Sequence, residues 1–233
     1  MRVLAIVHQR DAGPGVFTEA IDAAAARLDT WEPWAGPPAR SPAAYDAVLA
    51  FGGAMHPDQG QRHGWMEGER VLLAELVERG VPTLAVCLGA QLLAGAGGGA
   101  VRRATRPEIG WCPVELTPAG AADPVLGPLG PGFEALEWHS YACAPPPEAT
   151  ALARNATCLQ AYRIGERAWG IQFHAEVTAA DLDGWIEDYR SDEDAVAIGL
   201  DPDALRRESE AKIGAWNDLG RGLCERFLAT AGA

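Results

Sequence analysis

From Arg2 to Val7 the chain is a nearly uninterrupted apolar run, the pattern of a parallel strand covered on both faces. Gly13-Pro-Gly15 breaks it. Phe17, Ala20, Ile21, Ala24 and Leu28 then recur at helical spacing, which predicts a helix over Val16 to Leu28. A short strand is expected at Thr30 to Trp34, a Pro/Gly-rich loop over Ala35 to Pro42, and a buried strand at Tyr45 to Phe51. Val71, Leu72, Ala74, Leu76 and Val77 mark a helix from Glu67 to Arg79, with Gly80 as its stop. Thr83 to Val86 reads as another buried strand, and Ala90 to Ala94 consists of good helix formers. The order β-α-β-β-α-β-α predicts an open, mostly parallel α/β sheet flanked by helices.

Beyond Gly99 the texture changes. Strand-like pieces at Trp111 to Thr117, Phe133 to Trp138, Thr157 to Ile164 and Arg167 to Phe173 lie between Pro/Gly-rich turns, so a small antiparallel portion is expected. Gly165-Glu166 suits a hairpin turn. Thr178 to Tyr189 reads as a helix capped by Thr178. Asp201-Pro202 opens a long last helix, to about Leu228. No repeat or domain-length linker interrupts residues 1–233. One domain is expected, with a core over about 1–178 and a helical C-terminal extension over about 178–230.

Composition narrows the partners. The net charge is −13, and Lys212 is the only lysine. No basic stretch suits nucleic acid or an anionic membrane. No apolar run is long enough to span a bilayer, and no signal peptide opens the chain. The five cysteines are an odd number without zinc-knuckle spacing, which points to a reduced, cytoplasmic protein. Nothing calls for a cofactor. The histidines and acids show no metal-ligand spacing beyond His174 and Glu176.

One cysteine is better placed for chemistry than the others. In Ala85-Val86-Cys87-Leu88-Gly89, small residues stand two positions before and two after a thiol, between a strand and a helix. That is the pattern of a nucleophile elbow. The helix N-terminus after Cys87 favours a thiolate. A strand-end cysteine is more often a core filler, so a base must come from elsewhere. His174 directly follows a strand, and Glu176 lies two residues on. A His-x-Glu at a strand end can orient an imidazole toward a thiol. Gly52-Gly53, after another strand, would bring backbone N–H groups close to a substrate. With the Leu88 N–H they would form an oxyanion hole. His8, His56 and His63 receive no catalytic role, and His139 either lines the same cleft or packs.

Taken together, these pieces resemble the class I glutamine amidotransferases. Pro82-Thr-Leu-Ala-Val-Cys87-Leu-Gly-Ala-Gln91 is similar to the family's nucleophile motif. Phe51-Gly-Gly-Ala-Met55 is similar to its glycine strap, and Gln172-Phe-His174-Ala-Glu176 to its C-terminal motif. Glu108-Ile-Gly-Trp111 and Trp138-His139 resemble its free-standing, GMP synthase-like branch, some members of which hydrolyse γ-glutamyl peptide bonds. The resemblance covers about residues 1–178 and implies a flavodoxin-like fold. It implies Cys87 as nucleophile, His174 as base and acid, Glu176 as its orienter, and Gly53 and Leu88 as the oxyanion hole. It further implies that Gly52, Met55, Gln91, His139, Ser140 and Tyr141 belong to the substrate region. Ala85 stands where the family usually has Gly, and Ala54 and Ala175 where it usually has Pro. Ser140-Tyr141 stands where the branch often has Gly-Asp.

The expected activity is cleavage of a γ-carboxamide, in glutamine or a γ-glutamyl amide, through a γ-glutamyl thioester with release of ammonia or an amine. With no synthetase domain in these residues, ammonia would pass to a separate synthase subunit, or the protein would act as a stand-alone γ-glutamyl hydrolase or transferase. The alternative is a non-catalytic binding or regulatory protein that retains the fold. A thiol hydrolase of the dienelactone type is a third reading, against which the His-x-Glu pair and the double glycine argue.

Overall fold

The structure is a computed structural model that describes residues 1–38 and 40–232. Nine strands form one sheet in the order β2-β1-β3-β4-β9-β8-β7-β5-β6. Strands β1 (Arg2–Ile6), β2 (Arg27–Trp31), β3 (Ala47–Ala50), β4 (Thr83–Val86) and β9 (Ala168–Ile171) pair in parallel. Strands β5 (Ala100–Leu116), β6 (Gly132–Ala144), β7 (Thr150–Arg154) and β8 (Leu159–Ile164) continue the sheet antiparallel to one another, and β8 runs antiparallel to β9. The expected α/β architecture is present, and its antiparallel portion is larger than the sequence pieces imply.

The period of two along the strands divides the core into two layers. Val3, Ala5 and Leu49 face α1 (Phe17–Ala23) and the long last helix α7 (Pro202–Ala231), with Phe17, Ile21, Leu223 and Phe227 filling the space. Leu4, Ile6, Val48 and Ala50 face α2 (Trp65–Glu78) and α3 (Leu88–Ala96), with Met66, Leu73, Leu76, Leu92 and Leu93 opposite. Three short helices complete the chain: α4 (Pro118–Ala121), α5 (Ala179–Glu187) and α6 (Glu193–Ala197). Thr178 caps α5 in a capping box with Asp181, and the Asp201 side chain accepts from Asp203 and Ala204 at the start of α7. No helix among the described residues is long and apolar enough to cross a membrane.

Four local expectations are corrected. The first helix ends at Ala23, because Ala25 takes a left-handed conformation (φ +49°) and the Ala26 N–H returns to the Ile21 carbonyl. This closure normally uses glycine, so an alanine run hides it. The next strand is therefore Arg27–Trp31 rather than Thr30 to Trp34. In the third strand-like piece, Thr157 and Cys158 belong to a turn and the strand begins at Leu159. The strand β7 has no counterpart among the expected elements, since it is alanine-rich and alanine is depleted in strands. Within the loop expected over Ala35 to Pro42, Ala39 lies outside the described residues, and Pro33–Ala35 and Pro42–Ala44 form single 3-10 turns.

Helix α7 does more than cover the sheet. Trp216 is buried against Phe173, Phe133 and Trp111, and its indole N–H donates to the His174 carbonyl at 2.8 Å. Trp216→Phe keeps most of the packing and loses that bond. It is expected to cost about 1 kcal/mol, while Trp216→Ala costs about 3–5 kcal/mol. Thermal unfolding followed by circular dichroism tests this. A loosely appended α7 would instead leave both variants at the parent melting temperature.

Candidate active site

The carboxyl ends of β1, β3, β4 and β9 meet on one edge of the sheet, where open α/β sheets bind ligands. His8, Gly52-Gly53, Cys87 and His174 follow these four strands within a few residues. The register pairs Ile6 with Ala50, Ala50 with Ala85, and Val86 with Ile171. Residues that are distant in the chain are therefore neighbours by strand order alone.

Cys87 sits at the N-cap of α3 with φ +50° and ψ −107°, a conformation uncommon for any residue with a Cβ. Its own N–H donates to the Ile171 carbonyl (2.9 Å), and its carbonyl accepts from Gln91 N (2.9 Å). At Gly89 the helix passes so close to β3 that a Cβ would meet the Ala50 oxygen at 2.4 Å. Ala85 is fully buried without a bulge in β4, so the elbow forms with alanine at that position. The thiol is 6% exposed and lies 3.8 Å from the Trp138 carbonyl.

His174 stands beside it. Its Nδ1 lies 2.8 Å from Glu176 Oε1, and its ring and the Cys87 side chain both lie against Gly52. Trp185 of α5 meets the ring edge-on at 4.9 Å. Burial by itself disfavours the imidazolium. The Glu176 and Cys87 charges outweigh it and hold His174 well above its ordinary value. The ring is therefore disposed to carry a proton beside the thiol. Gly52 packs on the same ring: a Cβ there would meet His174 Cε1 at 2.9 Å.

The glycine strap is fixed from below. The Phe51 carbonyl accepts from Gly89 N (3.1 Å) and lies 2.8 Å from His8 Nδ1, which is also 3.3 Å from the Gly52 carbonyl. The opposite nitrogen of His8 lies 2.8 Å from both oxygens of Glu69, and Trp65 stacks on the ring at 5.1 Å. His8 and Glu69 are fully buried as side chains. Burial pushes His8 down, but the Glu69 charge and its hydrogen bonds raise it above the ordinary value. Sequence reasoning misses His8: a histidine ending the first strand carries no sign that it holds the strap.

A cavity of about 520 Å³ opens in front of the thiol, within the size range of small-molecule sites. Gly53, Met55, Cys87, Leu88, Gln91, His139, Ser140, Tyr141 and His174 all line it, whereas Gly52 and Glu176 do not. Gly52 packs against the His174 ring and leaves no room there for a side chain. The N–H groups of Gly53 and Leu88 donate to no backbone group among the described residues. The Gln91 amide donates to the Tyr141 carbonyl (3.5 Å) and to Gln172 (3.3 Å). The Tyr141 hydroxyl donates to Asp58 (2.8 Å), and its ring meets His56 at 5.0 Å. Arg103 pairs with Asp194 and lies over the Tyr141 ring. Trp138, Trp185 and Asp188 to Asp194 complete the rim; among these, the acidic stretch around α6 carries no sequence signal beyond polarity.

Residues 19–186 match the family model described as glutamine amidotransferase class-I. The chain is 28% identical over 194 residues to the glutamine amidotransferase-like protein YfeJ of Salmonella typhimurium, covering 80% of each chain. It is 36% identical over 100 residues to a glutamine-hydrolyzing GMP synthase subunit of Sulfolobus acidocaldarius, covering 42% of this chain and 52% of that one. The crystal structure of a glutamine amidotransferase from Thermotoga maritima superposes with a TM-score of 0.87 at 27% identity, covering 98% of both chains.

The His8–Glu69 pair yields a pH-dependent expectation. A histidine raised in the folded state contributes stability that is fully present below its unfolded value. That stability is lost as pH rises through the folded value. Glu69→Gln removes it and leaves His8 buried without a counter-charge, a cost of about 3–5 kcal/mol. The gap in melting temperature between parent and Glu69→Gln should be widest near pH 6 and narrow as pH rises through the raised value of His8. A gap independent of pH would contradict the charged pair.

Proposed function

The chain belongs to the class I glutamine amidotransferase family, and from that premise we propose that it is a cysteine-dependent amidase acting on glutamine or a γ-glutamyl amide. The observation that carries this reading is the strained Cys87 elbow beside a histidine that Glu176 holds at 2.8 Å. The Cys87 thiolate attacks the γ-carboxamide carbon. The oxyanion of the tetrahedral intermediate accepts from the N–H groups of Gly53 and Leu88. The His174 imidazolium gives its proton to the departing nitrogen, so ammonia or an amine leaves and a γ-glutamyl thioester remains on Cys87. His174, now neutral, takes a proton from water as the water attacks the thioester. The thiolate then departs and the imidazolium is restored. Glu176 keeps Nδ1 protonated and the other ring nitrogen facing the thiol.

Met55, Gln91, His139, Ser140 and Tyr141 form the substrate wall in this reading, with Gly52 giving the His174 ring its room. The catalytic unit is the whole chain as one domain. Its core spans about 1–178, and the extension over about 178–230 supplies Trp185 and Trp216. The partial likeness to the GMP synthase relative supports one recipient of ammonia, a separate synthase subunit. Five unpaired cysteines support a reducing, cytoplasmic setting.

Incubation with glutamine and with γ-glutamyl amides, assayed for glutamate, tests the proposal. Cys87→Ser is expected to lower release by at least about 10³-fold, and parent-like release would overturn the assignment. Glu176→Gln should lower kcat by about 10²–10⁴-fold. It should also move the alkaline limb of kcat/KM to lower pH, because the charge that raises His174 is gone. An unmoved limb would separate Glu176 from the titration of His174.

A further inference from the structure

A second buried polar cluster lies beside the cavity, in the antiparallel half of the sheet. Glu108 of β5 and His139 of β6 are direct cross-strand partners. Glu137 lies two residues before His139 and so projects from the same face. The turn Asn155 to Cys158 brings a thiol to them. Cys158 Sγ is 3.7 Å from Glu108 Oε2, and His139 Nε2 is 3.2 Å from Glu108 Oε2 and 3.3 Å from Glu137 Oε2. The ligand atoms of Glu108, His139 and Cys158 all lie within 4.8 Å of one another. The side chains of Glu137 and His139 are 0% and 1% exposed. Both Glu137 oxygens and His139 Nε2 nevertheless lack a hydrogen-bond partner. The Nε2 of His139 is near two carboxylates without an N–H aligned on either.

We propose that Glu108, His139 and Cys158 hold a divalent transition-metal ion of the zinc type, with the Glu137 carboxylate beside His139, at a site separate from Cys87, His174 and Glu176. The opposite nitrogen of His139, Nδ1, lies 3.0 Å from the Tyr141 carbonyl. An N–H at that nitrogen leaves the Nε2 lone pair for a metal, the usual second interaction of a ligating histidine. Zinc bonds of about 2.0–2.3 Å in a tetrahedron give edges of about 3.4 Å between N and O and about 3.6 Å between O and S. The 3.2 Å between His139 Nε2 and Glu108 Oε2 and the 3.7 Å between Glu108 Oε2 and Cys158 Sγ match those edges. Glu108 is already oriented by Asn155 (2.7 Å) and Gln160 (2.8 Å), and the Asn155 side chain accepts from Cys158 N (3.0 Å). One imidazole, one thiolate and one carboxylate suit zinc or cobalt(II) better than calcium or magnesium. Binding displaces the thiol proton of Cys158 and any proton held between the carboxylates and Nε2. The ion takes three protein ligands and one water. It ties β5, β6 and the turn before β8 behind the Trp138 to Tyr141 wall of the cavity.

The full chain, stripped with EDTA and desalted, is titrated with Co²⁺. One equivalent should bind, with a near-ultraviolet thiolate-to-cobalt band and the visible bands of tetrahedral cobalt, and Zn²⁺ should displace it. Cys158→Ser, at a half-buried turn position, should lose the thiolate band, whereas Cys87→Ser should keep it. Glu137→Gln should weaken binding by at least about tenfold. Zinc should raise the melting temperature of the parent but not of Cys158→Ser, with circular dichroism confirming that each variant is folded. Failure to bind a stoichiometric ion, or an octahedral cobalt spectrum, would overturn the site. A thiolate band lost in Cys87→Ser and kept in Cys158→Ser would do the same, because it assigns the metal to the elbow thiol.

Discussion

A single backbone conformation governs the site: Cys87 at φ +50°, ψ −107°, held between a strand and a helix. Such a residue carries about 1–3 kcal/mol of strain, and it persists only where its surroundings over-determine it. Here β4 is clamped between β3 and β9, the Cys87 N–H is bound to Ile171, and Gly89 lets α3 approach Ala50. The small residues at 85 and 89 are consequences of this constraint. So is the Phe51 carbonyl, which the elbow's Gly89 N–H and His8 fix together.

Three buried histidine–carboxylate groups surround the elbow, and each uses the same chemistry differently. His174 with Glu176 faces the thiol, where the carboxylate raises the imidazole and sets its orientation. His8 with Glu69 lies beneath the strap and anchors two of its carbonyls. His139 with Glu108 and Glu137 lies in the antiparallel wall, where burial lowers its value but the two nearby carboxylates outweigh it and push it up to about 10. Burial raises Glu137 in turn. Buried pairs of this kind add little net stability over apolar packing. Their cost is accepted here at the positions that shape one cavity.

Much of this is legible in the sequence, because the parallel half obeys simple rules. Continuous apolar runs ending in glycine or a reactive residue mark β1, β3 and β4, and with them Gly52-Gly53 and Cys87 on one sheet edge. His174 and Glu176 are legible through the same strand-end logic. What escapes has physical causes. The Schellman-type closure at Ala25 uses no glycine, β7 is alanine-rich, and the first part of β5 carries Arg102, Arg103 and Arg106 without apolar alternation. His8 and Glu69, 61 residues apart, meet only through the order of strands and helices. The cluster of Glu108, Glu137, His139 and Cys158 depends on cross-strand register, which no local spacing reveals.

The central claim is that this elbow makes Cys87 the acylated residue, and acid-quenching the protein during turnover of glutamine tests it most directly. The digest is then mapped by mass spectrometry. One glutamyl group is expected on the peptide carrying Cys87, discharged when turnover continues in the absence of fresh substrate. Steady glutamate release with that peptide unmodified at every quench time, and a glutamyl group on a different residue, would contradict it.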